Sequence, residues 1–487
     1  MNVALRINKD VYSNLSLNRS TLQMNRRVVI KEPDSKTFKC SLQIGAKPVS
    51  LPNYRLSEEQ TKYLKEICVQ LESEGHIIKT KSAWNSPVQL VPKKGSWRFT
   101  VNYKDTVNKN IENDSYPSPL SLPLVQHMSQ YMIFDQLDLS NGYWNVKTKD
   151  KCTQELLAFS VPGVGQYTWL SLPQGLKTAP SLFQRFMDDV FGDLEFVRVY
   201  MDDITIGAMT LKELLPRRKV VLDRLDSLNL KLNPDKSVWA ATSIKLLGMQ
   251  LAHGSVKPTD DYINGLLSWP DPNCVKDIRK FMGKLAHITA SYPGLQKPKS
   301  VLYRLLNKGV RFSWGHAQAE AFKSIKTALA KPTELTFISS APITLVCDAG
   351  EEGFSANFLQ EEKSIHTLSR KWKLKSTSIL SSSYRELLGI TEALRSQEAR
   401  ILKFPITVIC DNEKVPNIVK KNGNGDAMFT RLCAKISHFN LSWKWERRNS
   451  AKIKKVDAMG RFSDLSVNTR LKTFDSTIGT GVYIPIV

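Results

Sequence analysis

Cysteine is scarce: seven in 487 residues, at positions 40, 68, 152, 274, 347, 410 and 433. The number is odd, the positions are scattered and no Cys-x-x-Cys occurs, which argues against zinc modules and disulfide frameworks and for free thiols in a reducing compartment. Long apolar runs are absent too. No stretch approaches the roughly 18 apolar residues of a membrane span. Met1 to Asn18 mixes polar and apolar residues without the apolar core of a signal peptide, so secretion is not expected. Acidic residues are outnumbered, 46 Asp and Glu against 69 Lys and Arg, leaving a net charge of +23. That excess repels itself unless a polyanion neutralises it, so nucleic acid is the expected partner. A membrane surface is disfavoured, because no segment joins a basic face to a large apolar one.

The chain is 41% apolar, enough for packed cores, which excludes wholesale disorder. At roughly 100–200 residues per domain, its length suggests about three or four domains. Residues 1 to about 50 are weakly periodic and read as an irregular lead-in. Ser57 caps a helix with Leu64, Ile67, Cys68 and Leu71 on one face, ending near Gly75. Two alternating runs, Ser86–Pro92 and Trp97–Tyr103, flank Lys93-Lys94-Gly95-Ser96 and read as a hairpin with Arg98 and Thr100 opposite Trp97 and Phe99. Ser181–Leu194 is helical in pattern. Phe196–Tyr200 and Ile204–Gly207 are short strands joined by Met201-Asp202-Asp203. Thr259 caps a further helix. Another buries Val275, Ile278, Phe281, Met282, Leu285 and Ile288 and turns Lys276, Arg279, Lys280 and Lys284 outward, a face suited to a phosphate backbone. Pro293–Lys299 reads as a connector. After Pro342 the pattern changes to mixed strands and helices. There Pro342–Asp348 and Pro405–Asp411 nearly repeat and read as neighbouring core strands ending in Asp. The residues after Asp464 read as a tail.

Nucleotide transfer to a 3′ end uses two divalent ions roughly 3.5–4 Å apart, held by hard oxygen ligands. Three Asp pairs occur. Asp188-Asp189 falls on a helix, and Asp260-Asp261 follows a cap, where negative charge suits the macrodipole. Asp202-Asp203 sits instead at the tip of a hairpin of apolar strands, and Phe134–Asp138 is a second apolar run ending in Asp. Taken singly, each fits an ordinary polar turn.

Taken together they resemble a known family. Tyr200-Met-Asp-Asp203 resembles the reverse transcriptase signature, and the other segments follow in that family's order. Ser82–Tyr103 resembles the fingers, Leu137-Asp-Leu-Ser-Asn-Gly-Tyr143 the first palm motif and Leu172–Gln184 the next. Leu232-Asn-Pro-Asp-Lys236 is similar to the lysine motif, Leu246-Leu-Gly248 to the primer-gripping strand, and Ser268-Trp-Pro270 with the basic helix to the thumb of LTR retrotransposon enzymes. The likeness spans roughly residues 50–465. It looks gypsy-like, with Leu-Pro-Gln-Gly and Asn-Gly-Tyr-Trp leaning toward vertebrate retroviruses including foamy viruses, so the lineage stays open.

The resemblance implies a multidomain α+β fold: a right-hand polymerase (fingers, palm, thumb) with a connection and an α/β ribonuclease H-like domain. The expected divisions are 1–50 as an extension, 51–258 fingers and palm, 259–300 thumb, 301–340 connection, 341–466 ribonuclease H-like and 467–487 tail. Asp138, Asp202 and Asp203 would be the catalytic, metal-binding carboxylates. Arg98, with Lys93 or Lys94, would hold the triphosphate. Tyr143 would be the steric gate, its ring leaving no room for a 2′-OH; a core tyrosine is the alternative. Gln174 would meet nucleotide or template, and Lys236 would protonate the leaving pyrophosphate.

In the C-terminal part, Asp348, Glu386, Asp411 and Asp457 resemble the Asp–Glu–Asp–Asp metal set of a retroelement ribonuclease H. Two departures stand out. Asp348-Ala-Gly replaces the usual Asp-Ala-Ser, and no His precedes Asp457 in its loop, His438 falling on a strand pattern; slower cleavage is the expectation. Arg447-Arg448 and Lys452-Lys454-Lys455 form a basic patch. The implied cofactor is Mg2+, two per site, with Mn2+ as substitute. The implied partners are an RNA template, a DNA or tRNA primer, the RNA–DNA hybrid, dNTPs and a second copy in a homodimer, with no membrane. The expected location is a cytoplasmic virus-like particle with entry to the nucleus. A silent binding subunit or domesticated copy is the rival, though no metal carboxylate is eroded, and Tyr143 counts against an RNA-templated RNA polymerase. With no Asp-Ser-Gly or Asp-Thr-Gly, no aspartic protease is encoded, and a place within a longer Pol polyprotein is expected.

Overall fold

The first long helix shows how closely local chemistry sets the boundaries. Helix α1 (Glu58–Ser73) opens on Ser57, whose hydroxyl accepts from the Gln60 N–H while the Gln60 side chain accepts from the Ser57 N–H. It buries Leu64, Cys68 and Leu71 and gives way to Gly75 at φ 72°. A computed structural model of the chain describes residues 33–460 except 94, 118, 293–294, 331, 333, 352, 373–379 and 424. Lys94 and the C-terminal tail therefore lie outside the described residues. The chain divides into two compact units, Met1–Gly265 with Glu334–Ser339, and Leu266–Thr333 with Ser340–Val487.

In the first unit, strands β1 (Val88–Lys93) and β2 (Ser96–Val101) form the expected hairpin, with Lys93 paired to Ser96 and Gly95 at φ 70°. Phe99 packs against Phe159 and Trp169, which leaves Arg98 exposed on the other face. A four-stranded sheet carries β3 (Ile133–Asp138), β4 (Val197–Tyr200), β5 (Asp203–Ala208) and β6 (Val238–Ala241) in the order β6-β3-β5-β4. Helix α2 (Ala179–Phe191) contributes Phe183, Phe186, Met187 and Val190 to the same core as Val197, Ile204 and Ile206, and α3 (Leu211–Ser227) adds Leu214, Val221 and Leu225. The described part of the lead-in is anchored, contrary to its weak periodicity: Thr37–Phe38 pairs with Lys147–Thr148 and Phe38 is buried. Two buried side chains, Phe38 and Cys40, are too few to leave a repeating pattern to read. Leu246 ends one strand and pairs with Met249, so Leu247 and Gly248, both at positive φ, make a two-residue hairpin turn where the sequence suggested strand.

The second unit begins with helices. In α4 (Val275–Ile288) Ile278, Phe281, Met282, Leu285 and Ile288 are buried and Lys276, Arg279, Lys280 and Lys284 exposed, as the periodicity requires. The connector reading of Pro293–Lys299 is corrected: α5 (Gln296–Arg304) starts inside it, Pro298 falling in the first turn, where a missing N–H costs nothing. Helix α6 (His316–Leu329) follows. A five-stranded sheet then holds β7 (Ile343–Ala349), β8 (Gly353–Gln360), β9 (Lys363–Lys371), β10 (Ile406–Cys410) and β11 (Leu441–Trp445) in the order β9-β8-β7-β10-β11. The near-repeats are the parallel neighbours β7 and β10, in register from Ile343 with Ile406 to Val346 with Ile409. Helices α7 (Ser382–Ile401) and α8 (Ala451–Gly460) pack against β7, and two shorter helices, Lys414–Lys420 and Ala427–Ile436, lie between β10 and β11 in the chain. His438 lies in a turn ahead of β11, not on a strand, and pairs with Glu398 at 3.0 Å.

Candidate active sites

In the first unit, antiparallel pairing sets Asp203 directly opposite Asp138. The β4–β5 hairpin turns at Met201, whose φ of 54° is unusual for a side chain with Cβ substituents. Buried Gln184 secures that turn from α2. Its Oε1 accepts from the Met201 N–H at 2.8 Å, while its Nε2 donates to the Val199 carbonyl at 3.2 Å and to Asp188 Oδ1 at 2.9 Å. Asp202 is thereby held partly buried, with Oδ1 enclosed and without a hydrogen-bond partner among the described residues. Burial, then the charges of Asp138 and Asp203, push its carboxyl up to about 6. Burial and Asp138 raise Asp203 as well. Crowded like charges with an orphaned buried oxygen are the setting a hard divalent cation relieves, and three carboxylates supply the right donors.

Asp138 is tied to the lysine segment. Its N–H donates to Ser237 Oγ at 3.2 Å, its carbonyl accepts from the Asn233 N–H at 2.8 Å, and Lys236 Nζ stands 3.4 Å from its carboxylate. Beneath, buried Asp135 accepts two bonds from Arg218, at 2.7 and 2.9 Å, and one from the Ala240 N–H at 2.8 Å. This fixes the irregular register of β6 on β3.

Tyr143 follows Asp138 on a short 3-10 turn, Gly142–Asn145. Its ring stacks on Phe183, centroids 4.5 Å apart and planes at 19°. Burial and the Asp202 charge push its phenol up to about 12, so it stays a neutral plate. A Cβ on Gly142 would meet Phe183 Cζ at 2.8 Å and Asp202 Oδ1 at 3.2 Å, so only glycine lets this turn sit against the hairpin. A cavity of about 380 Å3 opens there, lined by Tyr143, Gln174, Leu176, Lys177, Pro180 and Asp202 among others. Gln174 and Tyr143 thus line one cavity with Asp202. Lys93 and Arg98 are exposed on the β1–β2 hairpin, and no hydrogen bond or ion pair among the described residues joins them to the carboxylates.

In the second unit the carboxylates draw closer. Asp348, Glu386 and Asp411 each offer an oxygen within 4.8 Å of the others. Asp138, Asp202 and Asp203 do not form so tight a group among the described residues. Parallel register delivers Asp348 near the end of β7 and Asp411 just past β10. Glu386 comes down from α7 because Gly389, one turn on, permits close approach; a Cβ there would lie 3.0 Å from Phe354 Cβ and 3.2 Å from Ala349 Cβ. Although it lies on a helix, Glu386 is 2% exposed. One oxygen accepts from the Ala349 N–H at 3.0 Å and the other is buried without a hydrogen-bond partner among the described residues. Burial, with Asp348 and Asp411, raises its carboxyl well above the usual range. This donor set also suits a divalent cation. Asp457 sits on α8 and is not in the cluster.

Two carboxylate sites of this kind, one at a strand and hairpin tip and one across parallel strands of a five-stranded sheet, define a nucleic-acid polymerase fold followed by a ribonuclease H-like fold. Residues 91–251 match the family described as reverse transcriptase (RNA-dependent DNA polymerase), and residues 314–408 that of the RNase H-like domain found in reverse transcriptase. The chain carries the reverse transcriptase and RNase H-like domains of an LTR retroelement. It is 30% identical over 345 residues to the Transposon Tf2-3 polyprotein of Schizosaccharomyces pombe, covering 70% of this chain and 26% of that protein. The Tf2-7 polyprotein of the same yeast is 29% identical over an equal length, with the same coverage. The chain thus spans about a quarter of the length of these curated relatives. Among solved structures, the foamy viral protease-reverse transcriptase dRH with double-stranded DNA aligns with TM-score 0.75 at 19% identity, over 91% of this chain and 79% of that one. The foamy viral protease-reverse transcriptase with RNA/DNA hybrid aligns with TM-score 0.71 at 18% identity, over 96% and 64%. These likenesses bear on fold alone.

Proposed function

We propose that the chain copies retroelement RNA into DNA at the first site and cleaves the RNA strand of the resulting hybrid at the second. The observation that carries this is the paired crowding of carboxylates: Asp138 opposite Asp203 beside a half-buried Asp202 in one unit, and Asp348, Glu386 and Asp411 in the other. Divalent cations, expected to be Mg2+ in pairs, would polarise phosphoryl oxygens and activate the attacking hydroxyl or water. Asp138, Asp202 and Asp203 would hold them in the first unit. In the second, Asp348, Glu386 and Asp411 would do so, with Asp457 completing the set.

The protein's own groups do the rest. Tyr143, braced by Phe183, excludes a 2′-OH from the cavity it lines. Gln174 contacts the incoming nucleotide or its template base. Lys236, beside Asp138, donates a proton to the pyrophosphate oxygen as it leaves. Arg98, with Lys93 or Lys94, reaches the triphosphate. The nucleic acids named in the structural neighbours, double-stranded DNA and RNA/DNA hybrid, are the proposed ligands here too.

The test is primer extension on an RNA template with Mg2+ and dNTPs, following the template in the same tube. Extension with template shortening supports the proposal. Tight binding with neither reaction supports the rival reading, a silent binding subunit.

A further inference from the structure

Two side chains stand against Asp411 without a part in holding a cation. Trp445 ends β11 in register with Cys410, and its indole N–H donates to the Asp411 carbonyl at 3.2 Å. The residue is nevertheless 44% exposed. One edge of the ring is fixed while much of the rest faces solvent. Arg448, three residues on, reaches back so that Nε lies 3.9 Å from Asp411 Oδ2, with its side chain 73% exposed. An ion pair so exposed contributes little to stability. The backbone between them is held: the Glu446 N–H donates to the Cys410 carbonyl at 3.1 Å and the Ser450 N–H to the Arg447 carbonyl at 2.8 Å. A fixed loop thus offers an aromatic plate and a planar cation, one on the main chain of Asp411 and the other on its carboxylate.

We infer that Trp445 and Arg448 are the substrate-strand contacts of this site. The indole stacks on the base or sugar of the nucleotide beside the scissile phosphate, and the guanidinium takes a non-bridging oxygen of the adjoining backbone. Stacking on a ring face tolerates any base, which suits an enzyme that must clear a whole template. The guanidinium fork matches phosphate oxygens better than a point charge does. The inference rests on the proposed nuclease activity and adds the groups that grip the strand.

The test follows cleavage of 5′-labelled RNA annealed to DNA by the full chain with Mg2+, using W445A, W445F, R448A, R448K and E386Q. For W445A the expected result is a KM raised about 10-fold or more with kcat nearly unchanged, and W445F recovers most of the loss. R448A raises KM and lowers the slope of log affinity against log salt by about 1, while R448K keeps the charge, loses the fork and falls between. Melting of each Trp445 and Arg448 variant matches the parent chain. Wild-type KM in both W445A and R448A overturns the inference. So does a loss confined to kcat with lowered melting, which makes the pair mere support for Asp411. If the parent chain leaves the hybrid intact, or E386Q still cleaves it, the nuclease reading itself falls and takes the inference with it.

Discussion

The backbone N–H of Met201 donates to the side-chain oxygen of Gln184 at 2.8 Å, so a buried amide on one helix holds the hairpin tip that presents Asp202 and Asp203. Gln184→Leu removes that acceptor and the donor to Val199. Leaving buried groups unpaired costs about 1–3 kcal/mol each. Single-nucleotide incorporation should fall by at least about 5-fold, roughly the kinetic equivalent of the lower figure, with hybrid cleavage retained. Wild-type incorporation would show that the tip holds itself.

Tyr143, stacked on Phe183, lines the cavity that Asp202 also lines. Removing the ring in Tyr143→Ala should admit ribonucleotides, and Tyr143→Phe, which keeps the plate, should not. The readout is the ratio of rNTP to dNTP incorporation efficiency. An unchanged ratio in Tyr143→Ala would make the ring a core residue and nothing more.

Glu386 titrates above the ordinary carboxylate range when folded, so its ionisation opposes folding. The stability it lends is full below its unfolded value, roughly 4.3, and is lost as pH rises through the folded one. Glu386→Gln should therefore melt higher than the parent chain at pH 8 in EDTA, with the gap closing toward pH 4. Adding Mg2+ should stabilise the parent more than the variant. For Asp202, with a folded value of about 6, the gain from Asp202→Asn should build between roughly pH 4 and 6 and then level off. Equal melting at every pH would contradict the crowding argument.

Gly389 lets α7 lie close enough for Glu386 to reach the Ala349 N–H. Gly389→Ala places a methyl 3.0 Å from Phe354 Cβ. Overpacking of this kind costs about 1–3 kcal/mol. Hybrid cleavage should fall severalfold while primer extension holds. Normal cleavage would mean the helix shifts without moving Glu386.

Elements with strong local signals were legible in the sequence. The Ser57 capping box, the apolar stripe of α4 and the near-repeat that became β7 and β10 each carry their structure in a few adjacent residues. Asp138, Asp202, Asp203, Asp348 and Asp411 end or follow apolar strands and so leave a local pattern, whereas Glu386 and Asp457 lie on helices and could be named only through the order of motifs. Gln184 could not, for a polar residue inside an amphipathic helix looks the same whether it faces water or a hairpin. The buried Asp135–Arg218 pair was hidden likewise, its members 83 residues apart. Pro293–Lys299 misled because prolines and lysines suggest a connector, yet Pro298 fits the first turn of α5.

The most direct measurement pairs Asp202→Asn with Glu386→Gln and follows primer extension and hybrid cleavage side by side. The account predicts that Asp202→Asn abolishes extension and spares cleavage, and that Glu386→Gln does the reverse. Both activities surviving both substitutions would contradict it.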